Sequence, residues 1–362
     1  MLVEKQKLKL SRPFKTEQGE IIKEPIIAYE EYGKKEGPVI FIAHGGLSNQ
    51  HAAGKYSKKD KEPGWWDEII GEGKAIDLNK YRVICANSLG GMNGTSSPLS
   101  INPDTGRRYG SDFPEITLID TVRFHKAFLD ELNIDKLQMM AGPSMGSLQS
   151  LQMAALYPDF VNSVVAVATA GRMTPSGMAM HHFMINAAKS DPEFNKGNYE
   201  NENPKLALKL IHQVARLYYT NRRIIEEFSS KNVVEGFDAQ KKRSENVYKY
   251  LTRGLEKEIK GRDLNCYIRL LEAVNTYDLG RDVGDYKEGI LRIKAPLLLI
   301  NITTDQEFPP VWADEVADIL NAKRPGQAEV REIDSSWGHL GCVKEAEVIN
   351  KHISEFIVDI EN

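Results

Sequence analysis

Strand-length runs of apolar residues recur along the chain and constrain its fold more than any other feature. The runs are continuously apolar rather than alternating, which is typical of strands buried on both faces of a parallel sheet. We predict strands at 38–43, 81–86, 137–141, 161–168, 296–300 and, more weakly, 328–333. Helical patterns lie between them at 116–132, 147–157, 309–321 and 346–360. Because strands and helices alternate, the sequence predicts the α/β class, with a mostly parallel central sheet flanked by helices.

One long segment lacks runs of the buried-strand type. It contains amphipathic helical patterns instead, at 206–219, 240–259 and 265–277. An insertion of this size between two strands predicts a helical cap over one edge of the sheet. We therefore expect a core domain, residues 1–171 and 287–362, and a helical cap domain, residues 172–286.

Composition excludes several classes of protein. The 47 Lys and Arg residues nearly balance the 51 Asp and Glu residues, for a formal net charge of −4, so we expect no nucleic-acid partner. The three cysteines show no C-x-x-C spacing and favour a reducing compartment over disulfides or a zinc site. No apolar stretch approaches the roughly 18 residues that span a bilayer, and the N-terminus lacks an apolar signal region. The expectation is a cytoplasmic protein with no membrane partner and no metal.

A serine lies between two glycines where a predicted strand meets a predicted helix. The pentapeptide Gly142-Pro143-Ser144-Met145-Gly146 fits G-x-S-x-G. In this context the motif predicts a nucleophile elbow, a sharp turn that exposes the serine hydroxyl above the sheet. The helix N-terminus behind it offers unpaired N–H groups to a developing negative charge. A serine between glycines is also common in ordinary turns, and the strand-to-helix context is what favours Ser144 as a nucleophile.

A nucleophilic serine needs a base and an orienting carboxylate, which this kind of fold supplies in the chain order Ser, Asp, His. Asp305 follows the predicted strand at 296–300, and His339 follows the strand at 328–333. We predict that His339 removes the Ser144 proton and that Asp305 holds the imidazole tautomer. A turn-capping role competes for Asp305, since Glu307 and Asp334 lie nearby in sequence. A loop histidine bonded to backbone is the alternative for His339.

The oxyanion hole is expected to use the N–H group after the nucleophile, that of Met145. A second N–H group is expected from the loop after the first strong strand, HGGLSNQHAAG, in which Gly45 and Gly46 allow close approach of the backbone. His44 begins this loop, and we interpret it as bracing the loop rather than as a second base. The pair His181-His182 has no third ligand at metal-site spacing.

Several longer stretches resemble the homoserine O-acetyltransferases, a family with the α/β-hydrolase fold. The resemblance runs over nearly the whole chain. It rests on HGGLSNQHAAG, GWWDEIIGEGKAIDLNKYRVICANSLGG, SINPDTGRRYGSDFPEITLIDTVR, PSMGSLQSLQMAALYPD, DLNCYIRLLEAVNTYDLGR and RIKAPLLLINITTDQEFPP.

The resemblance implies a ping-pong acyl transfer. Ser144 takes the acetyl group from acetyl-CoA, CoA leaves, and an acceptor hydroxyl attacks the acetyl-enzyme. Carried across position by position, the triad is Ser144, Asp305 and His339, with the oxyanion hole at the amides of Gly46 and Met145. The family also implies small-molecule substrates, no bound cofactor, a homodimer joined through the helical cap, and a role in methionine biosynthesis.

Two positions depart from the family pattern. The family's catalytic histidine is followed by an aspartate that binds the acceptor ammonium, whereas this chain has Leu340. An arginine seven residues before a cap tyrosine grips the acceptor carboxylate in the family. Aligning that tyrosine with Tyr219 or Tyr218 puts His212 or Ile211 at the position of the arginine. We therefore assign His212, Tyr219 and Leu340 to the acceptor site, and the sequence leaves open whether the acceptor is homoserine or another alcohol.

Two other functions fit parts of this pattern. A serine esterase of the same fold would use the same triad with water as the acceptor. A catalytically silent ligand-binding protein would keep the fold alone, which the complete Ser, Asp and His set disfavours. What attacks the acyl-enzyme therefore distinguishes the two enzyme hypotheses.

Overall fold

An eight-stranded sheet forms the centre of the computed structural model, which describes residues 1–46, 48–199 and 204–361. The strands in the described residues are β1 Gln6–Lys9, β2 Phe14–Lys15, β3 Ile21–Ile22, β4 Ile26–Gly33, β5 Val39–Ala43, β6 Ile70–Gly71, β7 Ile76–Asp77, β8 Arg82–Ala86, β9 Met139–Pro143, β10 Val164–Val167, β11 Leu297–Ile302 and β12 Ala328–Ile333. The order across the central sheet is β1-β4-β8-β5-β9-β10-β11-β12. The six strands from β8 to β12 in this order run parallel, and β1 and β4 are antiparallel additions at one edge.

Helices cover the sheet and fill the connection between β10 and β11. In the described residues they are α1 Leu118–Glu131, α2 Met145–Leu156, α3 Pro175–Ser190, α4 Lys205–Tyr219, α5 Arg222–Ser230, α6 Ala239–Thr252, α7 Leu255–Glu258, α8 Leu264–Asn275, α9 Tyr286–Leu291, α10 Val311–Lys323, α11 Gly341–Lys344 and α12 Ala346–Glu361. The mostly parallel sheet flanked by helices confirms the predicted α/β class.

The parallel strands are apolar because each is buried on both faces. All the residues of β9, β10 and β11 are buried, as the continuous apolar runs predicted. The sequence analysis did not identify β1 and β4. Strand β4 was not recognised because it carries two glutamates, one of which, Glu30, is fully buried. Its carboxylate accepts hydrogen bonds from Tyr32 and Tyr56 at 2.7 Å each and faces the His51 ring at 2.9 Å.

The segment between β10 and β11 is helical, as expected, and has an apolar cluster of its own. This cluster joins α3, α4 and α8, through residues such as Met184, Leu208 and Tyr267. The single helix predicted at 240–259 was wrong, because Gly254 adopts a left-handed conformation with φ 71° and separates α6 from α7. The division into a core and a cap at 172–286 stays a prediction.

None of the helices in the described ranges combines the length and the apolar character that a membrane span requires.

Candidate active site

Ser144 lies on a strained turn between β9 and α2. Its backbone has φ 54° and ψ −128°, a positive φ that only a few per cent of non-glycine residues adopt. The turn is held by the Ser144 N–H group, which donates to the Val167 carbonyl at 2.8 Å. The Ser144 carbonyl accepts the Ser147 hydroxyl at 2.6 Å. The strand-to-helix context of the motif therefore has the elbow geometry predicted from it.

Both glycines of the motif are required by the close approach of β5. A Cβ atom at Gly142 would lie 2.2 Å from the carbonyl oxygen of Ala43, and one at Gly146 would lie 2.0 Å from the same oxygen. Side-chain atoms do not tolerate such distances to backbone. The two glycines thus let the end of β5 press against the elbow, which brings the following loop next to Ser144.

His339 links Ser144 to Asp305 through two hydrogen bonds. The Ser144 Oγ atom is 2.8 Å from His339 Nε2, and His339 Nδ1 is 2.7 Å from Asp305 Oδ2. Asp305 lies in the loop after β11, where its Oδ1 atom accepts the backbone N–H groups of Glu307 and Phe308 at 2.7 and 3.1 Å. The carboxylate therefore orients the imidazole and also caps its own turn, so the two roles weighed for Asp305 coexist.

The electrostatics of His339 reflect its burial and its two acidic neighbours. Burial disfavours the imidazolium, but the charges of Asp305 and Glu307 and the hydrogen bond to Asp305 outweigh it and raise the pKa of His339 to about 9. The ring also packs against Tyr219, with ring centroids 5.2 Å apart. A base with a raised pKa is a strong proton acceptor once it is neutral.

The turn that carries His339 touches the helical segment. Gly338 has φ 60°, and a Cβ atom there would lie 2.9 Å from the Asn221 nitrogen and 3.1 Å from the Tyr219 carbonyl oxygen. The backbone between α4 and α5 thus packs directly on the backbone beside His339. A side chain at position 338 would separate them.

Gly46 and Met145 lie together on the wall of a cavity beside Ser144. Met145 is the first residue of α2, where the N–H group has no intrahelical acceptor. Gly45 packs against the elbow: a Cβ atom there would lie 3.6 Å from the Ser144 Cβ atom. Both predicted oxyanion donors therefore line the same cavity as Ser144, and their role stays a prediction.

His44 braces the loop that carries these glycines, as the sequence interpretation had it. Its Nδ1 atom donates to the Gly45 carbonyl at 2.7 Å, and its Nε2 atom accepts the Ser88 N–H group at 3.0 Å. The ring is buried, and burial lowers the pKa of His44 to about 4. A neutral imidazole with both nitrogens engaged in this way holds the loop and is not available as a second base.

The cavity has a volume of about 260 Å³ and a mostly apolar wall. The described residues that line it include neither lysine nor arginine. Its apolar side chains come from α2, α3, α8 and the turn after β12, and include Leu148, Met184, Leu270, Leu271, Val274 and Leu340. The cavity thus lies between the sheet and the helical segment, with Ser144 on its wall.

Two of the three residues assigned to the acceptor site line this cavity. Tyr219 and Leu340 are on its wall, whereas His212 is not. His212 lies one layer behind, where its Nε2 atom is 2.9 Å from the Tyr267 hydroxyl. Burial and the charge of Arg262 lower its pKa. Tyr267 itself lines the cavity, and the assignment of His212 to the acceptor site stays a prediction.

Glu307 and His181 are polar wall residues to which the sequence analysis assigned no role in binding. Glu307 was weighed only as a competitor of Asp305, and His181 only as a metal ligand. Both are about 4% exposed, and the Glu307 carboxylate lies within 3.3 Å of both the His181 and the His339 rings. The sequence feature that could have pointed to Glu307 as a wall residue is its position two residues after Asp305. The described residues contain no group of three or more His, Cys, Asp or Glu side chains that could hold a metal.

Comparison with known proteins gives consistent matches. The model of the α/β hydrolase fold family matches residues 38–346. A homoserine O-acetyltransferase from Deferribacter desulfuricans is 35% identical over 96% of this chain and 94% of its own length. The crystal structure of homoserine O-acetyltransferase from Bacillus anthracis superposes with a TM-score of 0.91 at 30% identity, covering 99% of this chain and 98% of that one. The crystal structure of esterase E22 superposes with a TM-score of 0.90 at 30% identity, covering 98% and 100%.

The sheet topology, the elbow and the Ser, His and Asp side chains define a protein of the α/β-hydrolase class. The similarity to known proteins over the full length of the chain identifies one family within that class. The chain belongs to the homoserine O-acetyltransferase family, which confirms the resemblance found in the sequence.

Proposed function

We propose that this protein is an acyltransferase that moves an acetyl or other short acyl group from acetyl-CoA to an alcohol through an ester on Ser144. The observation that carries the proposal is the hydrogen-bonded series from Ser144 through His339 to Asp305 on the wall of an apolar cavity. Membership of an acetyltransferase family supports transfer. In this mechanism acetyl-CoA is a substrate, and no resident cofactor takes part.

The first half-reaction acylates the serine. Ser144 Oγ attacks the thioester carbonyl carbon while His339 Nε2 takes the hydroxyl proton. The carbonyl oxygen becomes negatively charged and accepts hydrogen bonds from the N–H groups of Gly46 and Met145. When the C–S bond breaks, His339 returns the proton to the sulfur, and CoA leaves as a thiol. Asp305 stabilises the transient imidazolium throughout.

The second half-reaction repeats these steps with the acceptor. The acceptor hydroxyl attacks the ester carbonyl carbon, and His339 Nε2 takes its proton. The same two N–H groups stabilise the oxyanion, and the C–O bond to Ser144 breaks as the proton passes to Oγ. The product is an O-acyl ester, and the free serine is restored.

The wall of the cavity indicates an acceptor without a carboxylate. A carboxylate that loses a charge-assisted hydrogen bond on binding forfeits about 1.5 to 3 kcal/mol, or about one to two decades of affinity. The described lining provides no lysine or arginine to make that bond, and Leu340 adds apolar surface beside His339. We therefore infer an uncharged alcohol acceptor rather than homoserine. A role in methionine biosynthesis depends on which acceptor is used.

Hydrolysis is the second candidate function, and two observations favour it. Esterase E22 shares 30% identity and the fold over nearly the full length of both chains. The same apolar wall would accept the acyl and alcohol parts of a simple ester. In that case water replaces the alcohol in the second half-reaction and every residue keeps its role.

The decisive experiment measures thiol release from acetyl-CoA and identifies the acetylated product. Reactions contain no acceptor, L-homoserine, or an uncharged alcohol such as 1-butanol. The Ser144→Ala variant tests the nucleophile, and Ser190→Ala, at an exposed serine at the end of α3, is the matched control.

The acyltransferase proposal expects thiol release that 1-butanol accelerates, with butyl acetate as product, in the wild type and in Ser190→Ala only. Acceleration by L-homoserine with O-acetylhomoserine as product would overturn the inference about the acceptor. Free acetate at a rate that no alcohol changes would reject transfer and establish hydrolysis. Full activity in Ser144→Ala would reject both candidate functions.

We also propose a homodimer through the helical segment. Leu206, Leu210 and Leu217 are exposed on α4, and their spacing of four and seven residues places them on one face of the helix. Phe183 adds an exposed ring from α3, which packs beside α4. An exposed apolar stripe of this kind suits a second copy of the chain. The acetyl-CoA donor and the three buried free cysteines support a cytoplasmic location.

A further inference from the structure

Asn301 lies among leucines and isoleucines in β11, and the mechanism above gives it no part. All the residues of this strand are buried, and the exposed fraction of Asn301 is 0%. An amide group in such a place is costly unless its oxygen and its nitrogen both find hydrogen-bond partners. The partners of Asn301 therefore indicate why a polar residue occupies this position.

Three backbone groups satisfy the Asn301 amide. Its Oδ1 atom accepts the Thr169 N–H group at 3.1 Å. Its Nδ2 atom donates to the Thr169 carbonyl at 3.0 Å and to the Phe308 carbonyl at 2.9 Å. Because one partner donates and two accept, they also fix which amide atom is oxygen and which is nitrogen. The amide thus joins the segment after β10 to the far end of the loop that follows β11.

Phe308 closes the loop that carries Asp305. Its N–H group donates to Asp305 Oδ1 at 3.1 Å, and its ring lies against the His339 ring, with ring centroids 5.7 Å apart. Its carbonyl is held by Asn301, seven positions earlier in the chain. The loop is therefore closed by a side chain of the strand from which it leaves, and Asp305 lies on that closed loop.

The segment after β10 supports the elbow. The Val167 carbonyl accepts the Ser144 N–H group at 2.8 Å. Ala168 follows with φ 53°, a left-handed conformation, and Asn301 then binds both the N–H group and the carbonyl of Thr169. One amide is thus bonded both to the segment that supports the nucleophile and to the loop that carries the carboxylate.

We propose that Asn301 is a positioning residue that sets the separation between Asp305 and the elbow. It acts through Asp305, since its own partners are backbone groups. The separation matters because His339 must contact Asp305 at 2.7 Å and Ser144 Oγ at 2.8 Å at the same time. A displacement of either support lengthens one of these two hydrogen bonds. The inference rests on the proposed function, because it concerns the geometry of the Ser144 reaction.

The test measures kcat and KM for p-nitrophenyl acetate in the full-length protein. Circular dichroism gives the folded fraction of each variant, and rates are expressed per folded protein so that lost stability is not counted as lost activity. The variants are Asn301→Ala, Asp305→Asn and the double variant.

Asn321→Ala is the matched control. The Asn321 amide makes the same kind of paired bonds with backbone: it accepts the Ala328 N–H group at 3.0 Å and donates to the Ala328 carbonyl at 2.8 Å. Ala328 begins β12, so this amide lies at the opposite edge of the sheet from Asp305.

Asn301→Ala is expected to lower kcat by about 10- to 100-fold, because a misplacement of up to about 1 Å costs this much in catalysis. KM stays within about threefold of the wild-type value, since the amide supports the reacting groups and not the binding of substrate. In the Asp305→Asn background the same change lowers kcat by less than about threefold, because Asn301 acts through Asp305. Asn321→Ala keeps the wild-type kcat.

Wild-type kcat per folded protein in Asn301→Ala would overturn the inference, whatever the stability of the variant. An undiminished further loss in the Asp305→Asn background would also overturn it, because independent effects multiply. An equal loss of kcat in Asn321→Ala would show that any lost amide has this effect, and the inference would again be wrong.

A second variant covers the case in which Asn301→Ala does not fold. Asn301→Asp keeps the size of the side chain and the acceptor for the Thr169 N–H group, but it loses the donor to the Phe308 carbonyl. The same fall in kcat is expected from it, and wild-type kcat in Asn301→Asp would overturn the inference. A wild-type protein in which a fluorophosphonate does not label Ser144 overturns the proposed function instead.

Discussion

Replacing Gly146 by alanine tests whether the close approach of β5 to the elbow fixes the active-site geometry. The added Cβ atom would lie 2.0 Å from the Ala43 carbonyl oxygen and 2.6 Å from its carbon. Relief of this overlap requires a displacement of about 1 Å in a packed core, at a cost of about 1 to 3 kcal/mol of folding stability. Ala43 ends β5 and leads into the loop with Gly46, so the displacement falls on the proposed oxyanion hole.

We expect Gly146→Ala to lower kcat by about 100-fold, because a misplacement of about 1 Å costs this much in catalysis. The assay is the steady-state hydrolysis of p-nitrophenyl acetate, with urea unfolding measured in parallel. Ser150→Ala, one turn further along α2, is the control: it removes a 2.8 Å hydrogen bond to the Gly146 carbonyl but adds no atom. A Gly146→Ala variant within threefold of wild-type activity and with unchanged stability would refute the argument.

Three further predictions concern the base, the bracing loop and the assembly. Asp305→Asn should lower kcat/KM by about 10³ to 10⁴, because His339 loses the carboxylate that sets its tautomer; stopped-flow rates that stay within tenfold would contradict this. The neutral, buried His44 has a pKa near 4 in the folded protein and about 6.5 when unfolded. Because the unfolded chain binds this proton first, the free energy of unfolding decreases by about 3 kcal/mol as the pH falls from 6.5 towards 4, and the shift has no effect above pH 6.5. In His44→Gln the free energy of unfolding, measured with urea, should therefore depend less on pH between 6.5 and 4. An unaltered pH dependence would exclude the effect. If the proposed dimer forms through α4, Leu210→Lys should convert it to a monomer in light scattering, with the neighbouring Lys209→Ala as control; a dimer that persists in Leu210→Lys would place the interface elsewhere.

The central strands could be predicted because their burial is visible in the local sequence. Strands such as β9 and β11 are buried on both faces, and continuous apolar composition is the direct consequence. The edge strands give no such mark. Strand β1 alternates half-buried and exposed residues, and β4 includes a buried glutamate two of whose partners, His51 and Tyr56, come from elsewhere in the chain.

The Ser144, Asp305 and His339 side chains could be proposed from sequence because each follows a predicted strand. The carboxyl ends of parallel strands share one edge of a sheet, so residues after them converge without any knowledge of the loops. The pairing of Glu307 with His181 has no comparable rule. It joins a loop of the sheet to a helix of the inserted segment, 126 positions away, and depends on how that helix packs.

The position of His212 behind the cavity wall has a related cause. Helical spacing from Tyr219 predicts on which face of α4 a residue lies, but it does not reveal what stands in front of that face. Tyr267 of α8 lines the cavity, and its hydroxyl lies 2.9 Å from His212 Nε2. Spacing along α4 therefore indicated that His212 lies near the site, but a residue of α8 lines the cavity in front of it.

The contact of Gly338 with the chain between α4 and α5 has a consequence for how this enzyme could be re-engineered. The inserted segment packs against the turn that carries His339, the proposed general base, so replacing the segment would also change the support of that turn. A chimera that takes this segment from a relative would have new residues on the cavity wall and also different backbone contacts at the turn that carries His339. Grafting for a new acceptor should therefore keep residues 219–221 native and exchange only the inward faces of α3 and α8.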